Sequence, residues 1–348
     1  MATANPTTFT TLADWAKLQD PDGSIATVGE LLSQMNEIIG DMPFIEGNLP
    51  TGHRGSVRTS LPSPTWRRIN QGIDPGKSTT AQVTDTCGIS TALAIVDKDL
   101  ADLNGNSAAW RAQENRAFIE GISQDMAAQL FYSNSAVAPE KPMGFTPRYN
   151  TLSTGTSQTA NNVVNGNSSG STTSASIWLI GWAPDKVTGI FPKGSKAGLD
   201  DRDLGEDWAF DPNNKRYRAY ISEYKWKAGL HVKDWRYVVR IANIETGSGT
   251  AGLTSSAPVD LVDCIDQAIA KIPNLSACRP VLYMNRKVRR FLNKQRNYGV
   301  QASSTVNLTT IRRTETGNDR GVIQRFDNYD GIPLKTVDQL LSTESTIA

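Results

Sequence analysis

The sequence predicts an α+β protein, because helical and strand-like segments alternate along it without a repeating order. Apolar side chains recur at helical spacing through 107–132, whereas runs between 176 and 244 partly alternate polar and apolar residues. The order of these segments lacks the βαβ regularity of a wound parallel sheet. With 348 residues and a hydrophobic content of 38%, the chain can bury a sizeable core in one elaborated domain or two interleaved domains.

Two short helices are predicted near the N-terminus. Capping pairs begin the segments 11–19 and 28–39, and Gly40 is a natural C-terminal stop for the second helix. The apolar stripe of the second helix comprises Val28, Leu31, Leu32, Met35, Ile38 and Ile39. We expect this stripe to need a surface on which to pack.

The segment 54–97 is predicted to form a long two-stranded hairpin. Apolar residues are interspersed with polar ones on both sides of a turn-rich stretch at 70–78. Pro62 and Pro64 favour an edge strand or an irregular path on the first side. Because a lone two-stranded ribbon is only marginally stable in water, we expect it to need a partner surface.

Residues 107–132 carry the strongest helical pattern of the chain. A turn at 104–107 supplies an N-cap, and the helix would be roughly 39 Å long. Its expected buried stripe is Trp110, Phe118, Ile122, Met126 and Leu130, widened by Ile119, Ala127 and Phe131. A helix of this length exceeds the usual globular helix and needs an extended surface to pack on.

The rest of the chain is predicted to combine a polar loop, a sheet and two helices. Residues 150–176 are rich in Ser, Thr, Asn and Gly, which indicates a long loop or an insertion. Strands are predicted at 176–182, 187–191, 217–226, 229–244, 280–284 and 331–337. Helices are predicted at 259–272 and 286–296. The strands before residue 245 are expected to form an antiparallel sheet.

Charge is spread unevenly along a chain whose formal net charge is only +1. Residues 1–50 hold seven acids against Lys17, a net charge of 1 − 7 = −6, while 51–73 hold four arginines and no acid, +4. Residues 279–348 hold twelve bases and six acids, +6. Either the acidic leading segment meets a basic surface on a neighbouring copy, or each segment is simply solvated. The overall balance points to neither nucleic acid nor membrane.

No complete phosphate-binding or histidine-based site is found in the sequence. Gly76-Lys77-Ser78 resembles the end of a phosphate-binding loop, but Gln71 stands where that motif requires its first glycine. We therefore interpret the segment as a hairpin turn. His53 and His231, the two histidines, lack ligand-spaced partners, which argues against a zinc site.

Two charged segments have both a chemical and a structural interpretation. Asp200, Asp201 and Asp203 lack the other residues of a calcium loop and are interpreted as a solvated acidic turn. The bases of the 286–296 helix either contact nucleic-acid phosphates or surround a buried apolar stripe. Neither segment completes a catalytic set, so the sequence predicts no cofactor, no metal and no enzymatic activity.

The remaining composition favours a reducing compartment. Cys87, Cys264 and Cys278 form no C-x-x-C pair and are expected to be small core residues, although a disulfide between two of them stays open. The first residues lack the features of a secretory signal, and no apolar stretch approaches the ~20 residues that span a membrane.

Several segments carry a family resemblance, in consistent order over most of the chain. The first are TSLPSPTWRRINQGIDPGKSTTAQVTDTCGI (59–89), VDKDLADLNGN (96–106) and RAFIEGISQDMAAQLFY (116–132). The others are PEKPMGFTPRYN (139–150), IFPKGSKAGLDDRDLGE (190–206), KAGLHVKDWRYVVRIANI (227–244) and CRPVLYMNRKVRRFL (278–292). Together they resemble the major capsid proteins of tailed bacteriophages, which are similar in fold to the Hong Kong 97-type coat protein.

The resemblance implies a division of the chain. Residues 1–50 would be an N-terminal arm, and 51–100 an extended β-hairpin loop with its base. Residues 101–348 would form interleaved peripheral and axial domains, with 107–132 as the long spine helix of the peripheral domain. The polar segment at 150–176 departs from the compact plan of the fold and is expected to be an insertion.

The resemblance also implies the function. The protein would assemble with copies of itself, as hexamers and pentamers, into the icosahedral shell of a virion, built in the host bacterial cytoplasm. Scaffolding, portal and decoration proteins are further candidate partners, and packaged DNA would be contacted nonspecifically at most. The expected interface residues are Leu31, Leu32, Met35, Ile38, Ile39, Arg54, Arg58, Arg67, Arg68 and Lys77. The alternative is another structural protein of the phage head, and an enzyme comes third.

Overall fold

A computed structural model describes residues 34, 36–102, 107–166, 173–247, 252–254, 258–302 and 328–348. The helices are α1 (Ile38–Asp41), α2 (Lys98–Ala101), α3 (Ser107–Tyr132), α4 (Leu261–Lys271) and α5 (Arg286–Ala302). The first strands are β1 (Phe44–Glu46), β2 (Gly52–Ser60), β3 (Thr79–Asp97), β4 (Val163–Asn165), β5 (Ser174–Trp182) and β6 (Val187–Phe191). The others are β7 (Leu199–Phe210), β8 (Arg216–Val232), β9 (Val238–Glu245), β10 (Arg279–Met284), β11 (Asn328–Tyr329) and β12 (Ile332–Thr336).

The first sheet is built around two long antiparallel strands, β3 and β8. Their pairing runs from Cys87 opposite Gly229 to Asp97 opposite Ala219. The order β1-β6-β8-β3-β2 gives the main path of this six-stranded sheet, and β7 also pairs with β8. β1 lies parallel to β6, so the sheet is mixed. The strands predicted between 176 and 244 do pair antiparallel, β6 with β8 and β5 with β9, but they lie in two sheets rather than in the one expected.

The second sheet lies at the centre of the larger hydrophobic core. It has six strands in the order β11-β12-β10-β5-β9-β4, with β12 parallel to β10 and β4 parallel to β9. Every residue of β5 and β9 is buried. Such continuous burial requires cover on both faces of the sheet, and it agrees with the mainly apolar sequence of these strands.

The long helix α3 confirms the helix predicted at 107–132 and connects the two sheets. Ile122 and Met126 pack with Tyr224 and Trp226 of β8 in a smaller core cluster. One turn further on, Leu130 and other side chains of the same stripe enter the larger cluster around the second sheet. The described buried residues of α3 lie between Ile122 and Phe131, whereas Ile119, expected to widen the buried stripe, is 40% exposed.

Two expectations for the middle of the chain are wrong. Asp200, Asp201 and Asp203 do not lie in a turn but in β7, which pairs with β8 along nearly its whole length. The single strand expected at 229–244 is broken, because β8 ends at Val232 and a short 3-10 helix, Trp235–Tyr237, precedes β9. Asp234 caps that helix by accepting a hydrogen bond from the backbone of Arg236 at 3.2 Å.

The ends of the ribbon and the polar insertion also differ from expectation. No strand is present between Leu61 and Ser78, so the irregular tip extends well beyond the turn predicted at 70–78. Part of 150–176 is ordered as a 3-10 helix, Gln158–Asn162, followed by β4, whose first two residues are buried. The helix predicted at 11–19 and most of that at 28–39 lie outside the described residues. In the described part, α1 begins at Ile38 and runs through Gly40 to Asp41, so Gly40 does not end the helix as predicted.

Candidate assembly surfaces

The ribbon is the part of the first sheet that extends beyond the body of the molecule. We use this name for β2, residues 79–86 of β3 and the tip between them, 61–78. β2 pairs with β3 from Gly52 opposite Thr86 to Ser60 opposite Thr79, whereas residues 87–97 of β3 pair with β8. β3 therefore changes its partner strand where the ribbon leaves the body.

The tip of the ribbon exposes apolar side chains to solvent. The exposed fraction is 99% for Trp66 and 91% for Ile69, and Leu61 and Ile73 are exposed as well. Four large apolar side chains within one short segment form a concentrated patch, unlike the scattered single exposures found on most surfaces. The described residues of this subunit leave the patch uncovered.

The predicted interface cations all lie on the ribbon. Arg54 and Arg58 are on β2, and Arg67, Arg68 and Lys77 are in the tip. Each is exposed, and none forms an ion pair with an acid among the described residues. The structure thus brings the five cations onto one projection, which the sequence alone did not establish.

The predicted apolar interface at the N-terminus is only partly described. Leu31, Leu32 and Met35 lie outside the described residues. Ile38 is fully buried in the larger core of its own subunit, so its assignment to an interface between subunits is corrected. Ile39 is partly buried against the same core. This part of the predicted stripe stabilises the subunit itself.

Part of the acidic charge of 1–50 is neutralised within the subunit. Asp41 accepts hydrogen bonds from Arg279 at 2.9 Å, Tyr283 at 2.8 Å and Lys335 at 2.8 Å. Glu37 lies 3.5 Å from the same Lys335 ammonium group. The net charge of −6 therefore overstates what this segment presents to a neighbouring copy.

A second exposed patch lies on the hairpin formed by β7 and the start of β8. Trp208 and Phe210 are each about half exposed. The guanidinium group of Arg218 lies 4.5 Å from the centre of the Trp208 ring, and that of Arg216 lies 5.5 Å from the centre of the Phe210 ring. Tryptophan and arginine are the residue types enriched at the centres of protein interfaces. The sequence analysis missed this hairpin, although the apolar residues Trp208 and Phe210, two positions apart, were a signal for a strand.

A buried cluster of charged and aromatic side chains lies where the ribbon joins the body. Asp85 of β3 accepts a hydrogen bond from Arg148 at 2.7 Å, and its second oxygen lies 2.7 Å from Nδ1 of His231. The rings of His231 and His53 meet edge to face with their centres 4.6 Å apart. Burial raises the pKa of Asp85, but the hydrogen bond with His231 and the charge of Arg148 outweigh it, so this pKa lies below its ordinary value.

The basic helix α5 is largely explained by packing. Val288 and Leu292 are fully buried, while Arg289 is also buried and donates to Thr336 at 2.9 Å. Arg286 forms a bidentate ion pair with Asp338 at 2.6 and 2.7 Å. These contacts favour the structural interpretation of the helix over contact with nucleic acid.

The described part of the chain offers little for metal chemistry. It contains no group of three His, Cys, Asp or Glu side chains that could hold a metal ion. All three cysteines are free thiols, and burial raises the pKa of Cys87 and of Cys264 to about 11. A thiol with such a pKa is protonated at neutral pH and is a poor ligand or nucleophile. Within the same residues, no helix has the length and apolar content needed to cross a membrane.

The fold is that of a capsid subunit of tailed bacteriophages. The chain is 30% identical to a chain in the solved structure of bacteriophage Epsilon15, with a TM-score of 0.74 over 100% of this chain and 99% of that one. A chain of the bacteriophage JBD30 capsid is 9% identical, with a TM-score of 0.48 over 95% of this chain and 99% of that one. A comparison with curated protein sequences gave no match.

The chain belongs to the family described as major capsid protein GP7, whose model matches residues 20–348. The predicted fold class and the predicted function, a major capsid protein that forms the phage shell, are both confirmed. The protein is thus a structural component of the virion.

Proposed function

We propose that this capsid protein assembles into hexamers and pentamers in which the ribbon of each subunit lies over an adjacent subunit. The observation that carries the proposal is the tip, where Trp66 and Ile69 are almost fully exposed. Exposure of these apolar side chains to water is unfavourable in free energy, and burial against a neighbouring subunit removes that unfavourable contribution. Such head-to-tail contacts form a closed ring when the rotations between successive copies add up to a full turn.

The division of the chain follows from this assignment. Residues 1–50 act as the arm, 51–100 as the extended loop with its base, and 101–348 as interleaved peripheral and axial domains. The packing of α3 against β8 supports its role as the spine helix. The second sheet, which holds most of the core, is then the framework of the axial domain.

The interface combines apolar and electrostatic contacts. Leu31, Leu32 and Met35 of the arm pack on a neighbouring copy. Exposed cations of the ribbon, namely Arg54, Arg58, Arg67, Arg68 and Lys77, face acids of another subunit. The absence of described acidic partners for these cations within their own subunit supports this assignment.

Assembly takes place in the reducing cytoplasm of the host bacterium, and the three free thiols agree with that location. A portal and a scaffolding or decoration protein are further partners, and packaged DNA is contacted without sequence specificity. The protein acts without catalytic activity, an inference supported by the description of its family as a capsid protein.

Deletion of residues 70–78 tests the role of the ribbon. The shortened protein should remain a folded subunit, because these residues are exposed and contribute nothing to the core clusters. It should form shells poorly in negative-stain micrographs, while its circular dichroism stays close to that of the original protein. A Val137→Ser variant is the control, since Val137 is 81% exposed but lies outside both exposed patches. Normal shells from the deletion variant would contradict the proposal.

A further inference from the structure

A buried carboxylate, that of Asp85, lies at the junction between ribbon and body. On the N-terminal side of Cys87, β3 no longer pairs with β8, and the ribbon continues with only two strands, β2 and β3. Two paired strands do not by themselves fix an angle to the sheet they leave. Side chains at the junction therefore help to set the direction of the ribbon. Asn48 bonds the backbone N–H and C=O of Arg54 on β2, both at 2.7 Å, and Asp85 is the buried charge on β3.

Asp85 ties the ribbon to two separate elements of the body. One oxygen accepts from Arg148, at the end of the 3-10 helix Thr146–Arg148, at 2.7 Å. The other lies 2.7 Å from Nδ1 of His231 and accepts from the backbone N–H of Val232 at 3.3 Å. Asp85 is only 5% exposed, so these bonds are made away from water, where charge-assisted hydrogen bonds are strongest.

The opposite strand of the ribbon brings a second histidine to the same place. His53 of β2 pairs with Asp85 across the ribbon and meets the ring of His231 edge to face. Nδ1 of His53 and Nε2 of His231 are buried without a hydrogen-bond partner among the described residues. A β-carbon at Gly55 would lie 2.9 Å from Nε2 of His231, so β2 closes tightly over this ring.

The charges of this cluster favour a neutral ring at His53. Asp85 then offsets Arg148, which is permanently charged. A proton on His53 adds a positive charge beside Lys233, at a place where Nδ1 of the same ring is buried without a hydrogen-bond partner among the described residues. We propose that Asp85, Arg148, His53 and His231 form a proton-sensitive latch, which holds the ribbon against the body when the ring of His53 is neutral and releases it when that ring is protonated.

The direction of the pH dependence follows from His53. Burial, the neighbouring His231 and Lys233 lower its pKa below 6.5, and they outweigh the opposing effect of Asp85. Because the closed arrangement binds this proton less readily than the released one, the latch is fully stable above pH 6.5. Its stability falls as the pH drops from 6.5 through the lower pKa of the closed arrangement. For each unit by which the pKa of His53 is lower in the closed arrangement than in the released one, full protonation shifts the equilibrium toward the released ribbon by about tenfold.

The latch matters for assembly if the proposed function holds, since the direction of the ribbon then decides whether it reaches the adjacent subunit. The test does not depend on that function, because it uses the free, unassembled full-length protein. Backbone hydrogen exchange is measured between pH 7.5 and 5.0 and corrected for the intrinsic effect of pH. Amides of β2 and residues 79–86 report on the ribbon, and β9, fully buried in the second sheet, is the internal reference.

Protection of the ribbon amides should fall several-fold at pH 5.0, by up to about tenfold per unit of the shift of His53, while β9 is unchanged. His53→Phe keeps an aromatic ring against His231 but cannot take up a proton, so it should lose most of this pH dependence. An unchanged pH response in His53→Phe, or no response in the original protein, would overturn the latch. If the variant fails to fold, NMR titration of the two histidines decides instead, and a His53 ring that titrates at or above pH 6.5 refutes the proposal.

Discussion

The ribbon and the second sheet use the same kinds of residues in opposite ways. Trp178 of β5 is fully buried, and its ring packs near those of Phe131, Phe145 and Tyr149. Trp66, in the tip of the ribbon, is 99% exposed. The first tryptophan stabilises the subunit, whereas the second has no contact to contribute until a partner covers it. A shell protein thus divides its apolar residues between folding and assembly, and the two groups should respond differently to the same substitution.

The largest effect on folding is expected for Trp178→Ala. Removal of this ring leaves a cavity in the larger core, and such substitutions cost roughly 3–5 kcal/mol. Urea unfolding of the free subunit should show a lower midpoint without a large change in slope. A change below about 1 kcal/mol would mean that the core around the second sheet relaxes to fill the gap.

Loss of a buried charge in the same region should have a similar effect. Glu344, near the C-terminus, accepts from Nη2 of Arg240 at 2.9 Å and from Tyr132 at 2.6 Å, and both members of the ion pair are buried. Glu344→Ala leaves the guanidinium group without its counter-charge, which typically costs about 3–5 kcal/mol. Thermal unfolding measures the loss. Lys335→Ala, at a more exposed ion pair with Asp41, is the matched control and should cost far less.

Trp66→Ala should separate assembly from folding. The free subunit should lose less than about 0.5 kcal/mol, because the side chain has no packing contacts to lose. If the tip is buried in the shell, truncation of a central tryptophan typically costs 2 kcal/mol or more per contact. The concentration at which shells form should then rise by roughly 30-fold. An unchanged threshold would show that the tip stays in solvent after assembly.

The elements of the chain differ in how well the sequence predicts them. α3 and β6 were predicted with their correct bounds, because their periodicity comes from burial against a local surface. β7 was missed, since its outer residues are mostly charged and its pairing with β8 rather than an apolar face holds it in place. The packing of Ile38 in the core of its own subunit was missed as well, because an apolar stripe on a helix does not reveal which surface covers it.

The residues of the proposed latch show why a site of this kind cannot be predicted from the sequence. Asp85 and Arg148 are 63 positions apart, and Asp85 and His231 are 146 positions apart. No spacing rule connects them, and only the change of partner strand along β3 brings them together. The family resemblance predicted an extended loop, but it gave no account of what fixes the loop to the body.

The smallest expected effect is the response of assembly to salt. Among the seven acids of 1–50, Glu37 and Asp41 are engaged with Lys335, and Glu46 accepts from the backbone of Gly194 at 2.8 Å. Residues 1–33 keep four acids against Lys17, a net charge of 1 − 4 = −3. Contacts between these acids and the cations of the ribbon would be exposed pairs, worth roughly 0–1 kcal/mol each.

Such contacts should weaken in sodium chloride, because the Debye length falls from ~10 Å at 0.1 M to ~3 Å at 1 M. Apolar burial should hold or strengthen in ammonium sulfate, since sulfate is excluded from protein surfaces. The threshold concentration for shell formation should therefore rise in sodium chloride and fall in ammonium sulfate. The double variant Arg67→Gln and Arg68→Gln, which removes two exposed cations beside Trp66, should lose part of the sodium chloride response but keep the sulfate response. If the original protein is indifferent to sodium chloride, the charged arm is solvated in the shell and the apolar tip of the ribbon carries the contact between subunits.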